Sequence, residues 1–328
     1  MLEKIGAQDM DSDRIAHIPL QAQRAGYQHL WALAAGLEPV VTVVVHPCDK
    51  ESLTGAIEAA NAGLIIPIFV APESKLRTLA TSLSIDLSSY ELVPAAHSHE
   101  AAAKAVALVR EGTAEALMKG SLHTDELMTE VVAHETGLRT GRRMSHVFIL
   151  DVPNYPRPLF LTDAAININP TLKGKRDIVQ NAIDLTHVLG ISNPMVAILS
   201  AVETINPEIR STLDAAALCK MAERGQISGG TLDGPLAFDN AISPEAAQVK
   251  NLQSPVAGRA DILVVPDLEA GNMLAKQLQY LAGARAAGIA LGARVPIVLT
   301  SRAESAFERR TSCVIAQLIA QHRRSAIQ

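Results

Sequence analysis

The sequence predicts an α/β fold, a parallel sheet with helices on both faces, divided between two domains. Three observations carry this. Between residues 40 and 119, short β-branched runs alternate with amphipathic or Ala-rich stretches, the βαβα order that builds parallel sheets. The chain has 328 residues, more than one hydrophobic core ordinarily serves. Near His146 the alternation gives way to two apolar runs joined by a Pro-rich stretch, 153–158, which marks a domain boundary.

Taken in order, residues 1–38 predict a leading helix with Leu20, Ala25, Leu30, Leu33 and Ala34 as its apolar positions. A β-branched strand covers 40–45 and ends at His46-Pro47-Cys48-Asp49; a helix covers 50–61. Then follow a strand at 65–70, a helix at 76–83, a short strand at 90–93, an Ala-rich helix at 99–111 and a strand at 116–118 that ends on Lys119-Gly120. Beyond the boundary, 147–150 and 159–162 read as paired strands. A helix at 172–189, a strand at 196–199, a helix at 213–224, a turn-rich stretch at 229–235, a buried strand at 261–266 and a helix at 273–281 come next. The last strand is predicted at 297–302 and the last helix at 303–324, with Phe307, Val314, Ile315, Leu318 and Ile319 near helical spacing.

Composition narrows the function. The formal net charge is −5 and aromatics are only 3%, so neither a basic field nor stacking platforms for nucleic acid are expected. No apolar run approaches the roughly 18 residues of a membrane helix, so no membrane partner is expected. The N-terminus carries Glu3, Asp9, Asp11 and Asp13 and has no signal-peptide pattern. The three cysteines are far apart and have no metal spacing, which suits a reducing cytoplasm. An anionic substrate would need locally placed Arg and Lys.

Such places exist. Ser301 and Arg302 sit where the last strand gives way to a helix, where N–H groups and a guanidinium fork suit an anion; they also read as an N-cap and a surface charge. Lys119, Gly120, Ser121 and Thr124 form a strand-end loop able to hold an anion, or a turn with a helix cap. Arg139, Arg142 and Arg143 crowd one loop, as phosphate ligands or as a solvated basic turn. Asp233 and Asp267 lie in turn-rich segments, as site carboxylates or capping residues. The run His97-Ser98-His99-Glu100 reads as capping in preference to a metal site. Neither G-x-G-x-x-G, P-loop nor G-x-S-x-G occurs.

Six segments in order, KGSLHT (119–124), GLRTGRRMSHV (137–147), LFLTDAAININP (159–170), LDGPLAFDNAIS (232–243), PDLEAGNMLAKQL (266–278) and PIVLTSRAES (296–305), resemble the phosphate acetyl/butyryltransferase family. VVVHPCD and LTDAAIN are also similar to the transferase half of enoyl-CoA hydratase–phosphate acetyltransferase fusions. The resemblance implies two α/β/α domains with a cleft between them, similar to isocitrate and isopropylmalate dehydrogenases. One domain would combine 1–146 with 290–328 and the other span 147–289. It also implies a cytoplasmic homodimer that moves a short acyl group reversibly between CoA and inorganic phosphate, with CoA as substrate, no bound cofactor and no metal.

By the same resemblance, Ser301 donates to the developing oxyanion, Arg302 clamps phosphate, and Glu308 or Glu304 is the base. Lys119, Ser121, Thr124, Arg139, Arg142, Thr162 and Asp267 are the expected substrate-binding residues. Two positions depart from acetyl-specific members: Glu308 replaces an Asp, and Glu130 replaces an Arg, for which Arg139, Arg142 or Arg143 would substitute as in the butyryl branch. A long-chain phosphate acyltransferase, a non-catalytic CoA-binding relative and a dehydrogenase on the similar fold are the alternative readings.

Overall fold

Six consecutive β-branched residues, Val40–Val45, form the strand β1 around which the first half assembles. The computed structural model describes residues 25–299 and 304–327. Helix α1 (Ala25–Ala34) precedes β1, and α2 (Lys50–Asn61), β2 (Ile65–Ala71), α3 (Glu73–Ser82), β3 (Glu91–Pro94), α4 (Ser98–Arg110), β4 (Ala116–Lys119) and α5 (Thr124–Val131) follow it. Asp49 stops the chain after β1 and starts α2, its carboxylate accepting the Ser52 N–H at 2.8 Å. The second half holds β5 (Ser145–Asp151), β6 (Leu159–Thr162), α6 (Leu172–Val188), β7 (Met195–Leu199), α7 (Arg210–Glu223) and β8 (Thr231–Leu236). Helices α8 (Phe238–Ile242) and α9 (Pro244–Val249), strand β9 (Ile262–Val264), α10 (Leu268–Tyr280), β10 (Arg285–Leu291), β11 (Ile297–Val298) and α11 (Ala306–Ile327) complete it.

All eleven strands of the described residues join one sheet, in the order β3-β2-β1-β4-β11-β10-β5-β6-β9-β7-β8. The parallel order expected from residues 40–119 is present in β1–β4, and the sheet as a whole is mixed. The outer runs are parallel, but β10 lies antiparallel to both β11 and β5, and β5 antiparallel to β6. Strand β10 was not expected from its sequence, because RAAGIAL has small residues where strands favour branched ones. Its burial comes from its two neighbours, not from propensity. The crossings expected at 146/147 and 289/290 fall at partners in the β5–β10 ladder, His146 opposite Ala290 and Val147 opposite Ile289. The sheet runs through them unbroken.

The two faces of the sheet differ. On one, Val44, Phe69, Met118, Val147, Ile149, Val196, Ile262, Ile289 and Val298 pack with α1, α2, α3, α6, α7 and α11 into a core that continues under both halves. On the other, two separate cores form. Val43, Val45, Ile68, Leu117 and Ile297 pack with α4 and α5, whereas Leu150, Leu161, Ala197 and Leu263 pack with α8 and α10. Alternation of side chains along each strand produces this division. A cleft opens where the second face is uncovered.

The start of α11 is tied to the middle of the sheet by aromatic contacts. Tyr27 Oη donates to the Ile149 carbonyl at 2.7 Å. The Arg285 guanidinium lies 5.2 Å from the Tyr27 ring centroid and 5.1 Å from that of Phe307, and it also pairs with Asp151. Trp31 stacks on Phe307 with centroids 6.0 Å apart. These contacts fix one wall of the cleft.

Candidate active-site cleft

The cleft has a volume of about 540 Å³. Lys119 at the end of β4 and Thr124 at the start of α5 line the first-half wall; Asn272, Lys276, Gln279 and Tyr280 of α10 line the second-half wall. His146 and Phe148 of β5 lie at its base, and Leu299, Glu304 and Glu308 border it from the β11–α11 passage. Ser301 and Arg302 lie outside the described residues, but Leu299 and Glu304, which flank them in the chain, are both lining residues.

The Lys119 loop is built for close approach. A Cβ at Gly120 would fall 2.4 Å from the Val45 carbonyl oxygen, so only glycine lets the loop pack on the end of β1. Lys119 Nζ donates to the carbonyls of Gly120 at 3.2 Å and Leu122 at 3.1 Å, which holds the ammonium at the loop. Ser121 has a structural occupation. Its Oγ donates to the His46 carbonyl at 2.8 Å and accepts from the Cys48 N–H at 3.2 Å, stitching this loop to the one after β1.

Glu308 occupies the first turn of α11, with both carboxylate oxygens engaged. The Ala286 N–H donates to Oε1 at 2.9 Å and the Ser305 N–H to Oε2 at 2.8 Å. The two amide donors fix the orientation of the carboxylate at the start of α11. Asp267 is the N-cap of α10, accepting the Ala270 N–H at 2.9 Å, and it is not among the lining residues. Thr162 is fully buried and donates to the His146 carbonyl at 2.8 Å. The turn and capping readings of Ser121 and Asp267 thus describe their contacts, and Thr162 is held by a backbone carbonyl.

The basic loop is also turned away. Arg142 pairs with Asp184 of α6 and lines a second concavity with Leu185, Val188 and Ile319, on the face covered by α6 and α11. Arg139 is exposed and bridges Ala293 through its backbone. Arg143 Nε donates to Asn167 Oδ1, and the Arg143 N–H donates to Asp177 at 3.0 Å. The loop packs on the β10–β11 turn, Thr140 Oγ1 donating to the Gly292 carbonyl at 2.6 Å. Neither Arg139 nor Arg142 is among the residues that line this cleft.

His146 is 1% exposed and its Nδ1 has no hydrogen-bond partner among the described residues. Burial pushes its pKa down to about 4, against a smaller upward pull from Asp163, so the imidazole is neutral at pH 7. Asp163 accepts the N–H groups of Ala165, Ile166 and Asn167 at 3.0–3.2 Å, shaping the turn that brings Ala165 to the cleft. Sequence reasoning assigned no role to His146, Phe148, Lys276 or the other α10 residues. The available signal was the spacing of Asn272, Lys276 and Gln279, which places three polar groups on one helix face.

No helix among the described residues is long and apolar enough to cross a membrane. The family model described as Phosphate acetyl/butaryl transferase matches residues 95–316. A phosphate acetyltransferase of Rhizobium meliloti is 65% identical over 305 residues, covering 93% of this chain and 96% of the relative. A phosphate butyryltransferase of Clostridium acetobutylicum is 43% identical over 272 residues, 83% of this chain and 90% of that one. The crystal structure of a branched-chain phosphotransacylase from Enterococcus faecalis V583 matches with a TM-score of 0.72 at 31% identity, covering 85% of this chain and 99% of the other. With the family model spanning two thirds of the sequence and relatives matching over nearly their whole length, the chain belongs to the phosphate acetyl/butyryltransferase family.

Proposed function

We propose that this chain transfers a short acyl group reversibly between CoA and inorganic phosphate, acyl-CoA + phosphate giving acyl phosphate + CoA. The observation that carries the reading is the cleft lining: Lys119 from β4 and Lys276 from α10 both border it, as do Leu299 and Glu304, which flank Ser301 and Arg302 in the sequence. Both substrates are anionic, and two ammonium groups with one guanidinium supply the opposing charge. Holding both substrates in one cleft supplies the orientation that a two-substrate transfer needs.

In the forward direction a phosphate oxygen attacks the thioester carbonyl carbon. The carbonyl oxygen becomes anionic and Ser301 donates to it, Arg302 holding the phosphate. The C–S bond then breaks, and CoA leaves as a thiolate that takes up a proton. In reverse, the thiol must lose that proton to become the nucleophile. Glu304, a cleft-lining carboxylate next to the Ser301–Arg302 segment in the sequence, is assigned to this transfer. Glu308 instead positions the start of α11. Residues 1–146 with 290–328, and 147–289, form two domains with the cleft between them, joined through the β5–β10 ladder, as in the isocitrate and isopropylmalate dehydrogenases. The enzyme works as a cytoplasmic homodimer.

The test is release of CoA thiol from acetyl-, propionyl- and butyryl-CoA with and without phosphate. Phosphate-dependent release with stoichiometric acyl phosphate is expected. A folded protein that binds CoA yet releases none from any donor would overturn the reading.

A further inference from the structure

The cleft must accommodate one part of the substrate that no lysine can serve, the alkyl chain of the acyl group. Strand β5 is buried at every position from Ser145 to Asp151 except Phe148. It is an interior strand, flanked by β10 and β6, so this exposure is not that of a sheet edge. Its partly exposed side chain borders the cleft. An aromatic face uncovered at the base of a concavity is apolar surface that a ligand's apolar part would remove from water.

The ring is also held in place. His146 packs edge-on against Phe148, with centroids 4.4 Å apart and planes at 70°. Beneath them, β10 carries Gly288 opposite Phe148 in register. A Cβ there would fall 2.7 Å from the His146 ring and 3.4 Å from Phe148 Cδ1, so the missing side chain makes the space that both rings occupy. With the imidazole behind it and backbone below, Phe148 has no room to retreat. Leu299, Ala165 and Ala284 are the other apolar lining residues.

We propose that Phe148 is the end-stop of the acyl-chain subsite, backed by His146 over Gly288, and that the bulk of the residue at position 148 sets the longest acyl chain the enzyme accepts. The inference rests on the acyl-transfer reading and deepens it by naming the part of the cleft that selects the acyl group. His146 serves the subsite by shape, since it is uncharged at pH 7 and its ring supports Phe148. Complementary apolar pockets discriminate by about 10–200-fold per methylene, which is the leverage available to one side chain at this position.

The experiment is kcat/KM for acetyl-, propionyl- and butyryl-CoA at saturating phosphate in the wild type and in Phe148→Leu, Phe148→Ala and Phe148→Trp, with CoA binding as a check of the folded cleft. The butyryl-to-acetyl ratio is expected to rise at least tenfold in Phe148→Ala, to rise less in Phe148→Leu, and to fall at least tenfold in Phe148→Trp. Ratios within twofold of wild type in all three variants would overturn the proposal. So would an equal loss of turnover with every donor in variants that still bind CoA, because that is the signature of general damage. A wild type without phosphate-dependent turnover refutes the acyl-transfer reading itself and takes this inference with it.

Discussion

Ser305 and Glu308 bond reciprocally: the Ser305 N–H donates to Glu308 Oε2 at 2.8 Å, and the Glu308 N–H donates to Ser305 Oγ at 3.3 Å. This capping box begins α11 immediately after the segment that carries Ser301 and Arg302. It assigns Glu308 a positioning task. Glu308→Ala should therefore lower stability by about 1–2 kcal/mol through the lost acceptors. Glu308→Gln, which keeps one acceptor oxygen, should lose less. In Glu308→Gln the pH dependence of kcat should keep its wild-type shape; disappearance of its acidic limb would restore Glu308 as the proton acceptor.

Lys119 at the end of β4 and Lys276 on α10 both line the cleft. Each to Ala should reduce kcat/KM at least tenfold while shifting the melting temperature by no more than a few degrees. Most of the loss should appear as a raised KM for phosphate or CoA, because a lysine that binds ground state and transition state alike acts on KM. Initial-rate kinetics with each substrate varied in turn would decide it. Unchanged KM values for both substrates in both variants would remove these lysines from the site.

Arg142 marks the opposite outcome. Its partner Asp184 lies on α6, on the far face of the sheet, and both side chains are nearly half exposed. Arg142→Ala should leave kcat/KM within twofold of wild type and cost less than about 1 kcal/mol, as exposed ion pairs do. Asp184 keeps a donor in Gln180 Nε2 at 2.8 Å. A tenfold kinetic effect would return the basic loop to the functional machinery.

His146 ties stability to pH. Its pKa is about 4 in the folded protein against about 6.5 unfolded, so between these values the unfolded chain binds the extra proton. Stability is fully present above pH 6.5 and is lost as pH falls through this window, by about 2 kcal/mol at pH 5 and ~3 kcal/mol near pH 4. His46, whose pKa is lowered by burial and then by Lys75, acts in the same direction. Urea midpoints at pH 7 and pH 5 should therefore converge in His146→Phe relative to wild type. Equal acid sensitivity in both proteins would show that His146 is not buried neutral.

Much of the fold was readable because β1, β2 and β9 are dominated by branched aliphatic residues and β4 is apolar up to Lys119. Strand β10 was not, since Arg285–Leu291 owes its place to burial between two neighbours, and β8 was hidden by the Asp233-Gly234-Pro235 turn signature. At the site, position along the chain was a better guide than charge. Lys119 ends a strand and does border the cleft, whereas Arg142 is more conspicuous and faces elsewhere. Asp267 and Ser121 satisfy backbone groups beside them, a local task that sequence cannot separate from ligand binding. Phe148 was invisible for another reason. Its partial exposure in an interior strand follows from which helices are absent above it, and absence leaves no mark in the strand's own residues.

The pairing of Leu117 with Ile297 has a consequence for how the protein is made. The edge of β4 is synthesised early, yet its neighbour β11 emerges only after every strand of the second half. At ~5–20 residues per second, that edge waits about 10–40 s on the ribosome with its amides unsatisfied. Its eventual partner is only two residues long, so the closing ladder is short and is secured by the helix that follows. Until that helix leaves the exit tunnel the first four strands are an unfinished sheet, and nascent chains cut before residue 297 would expose an adhesive edge to one another.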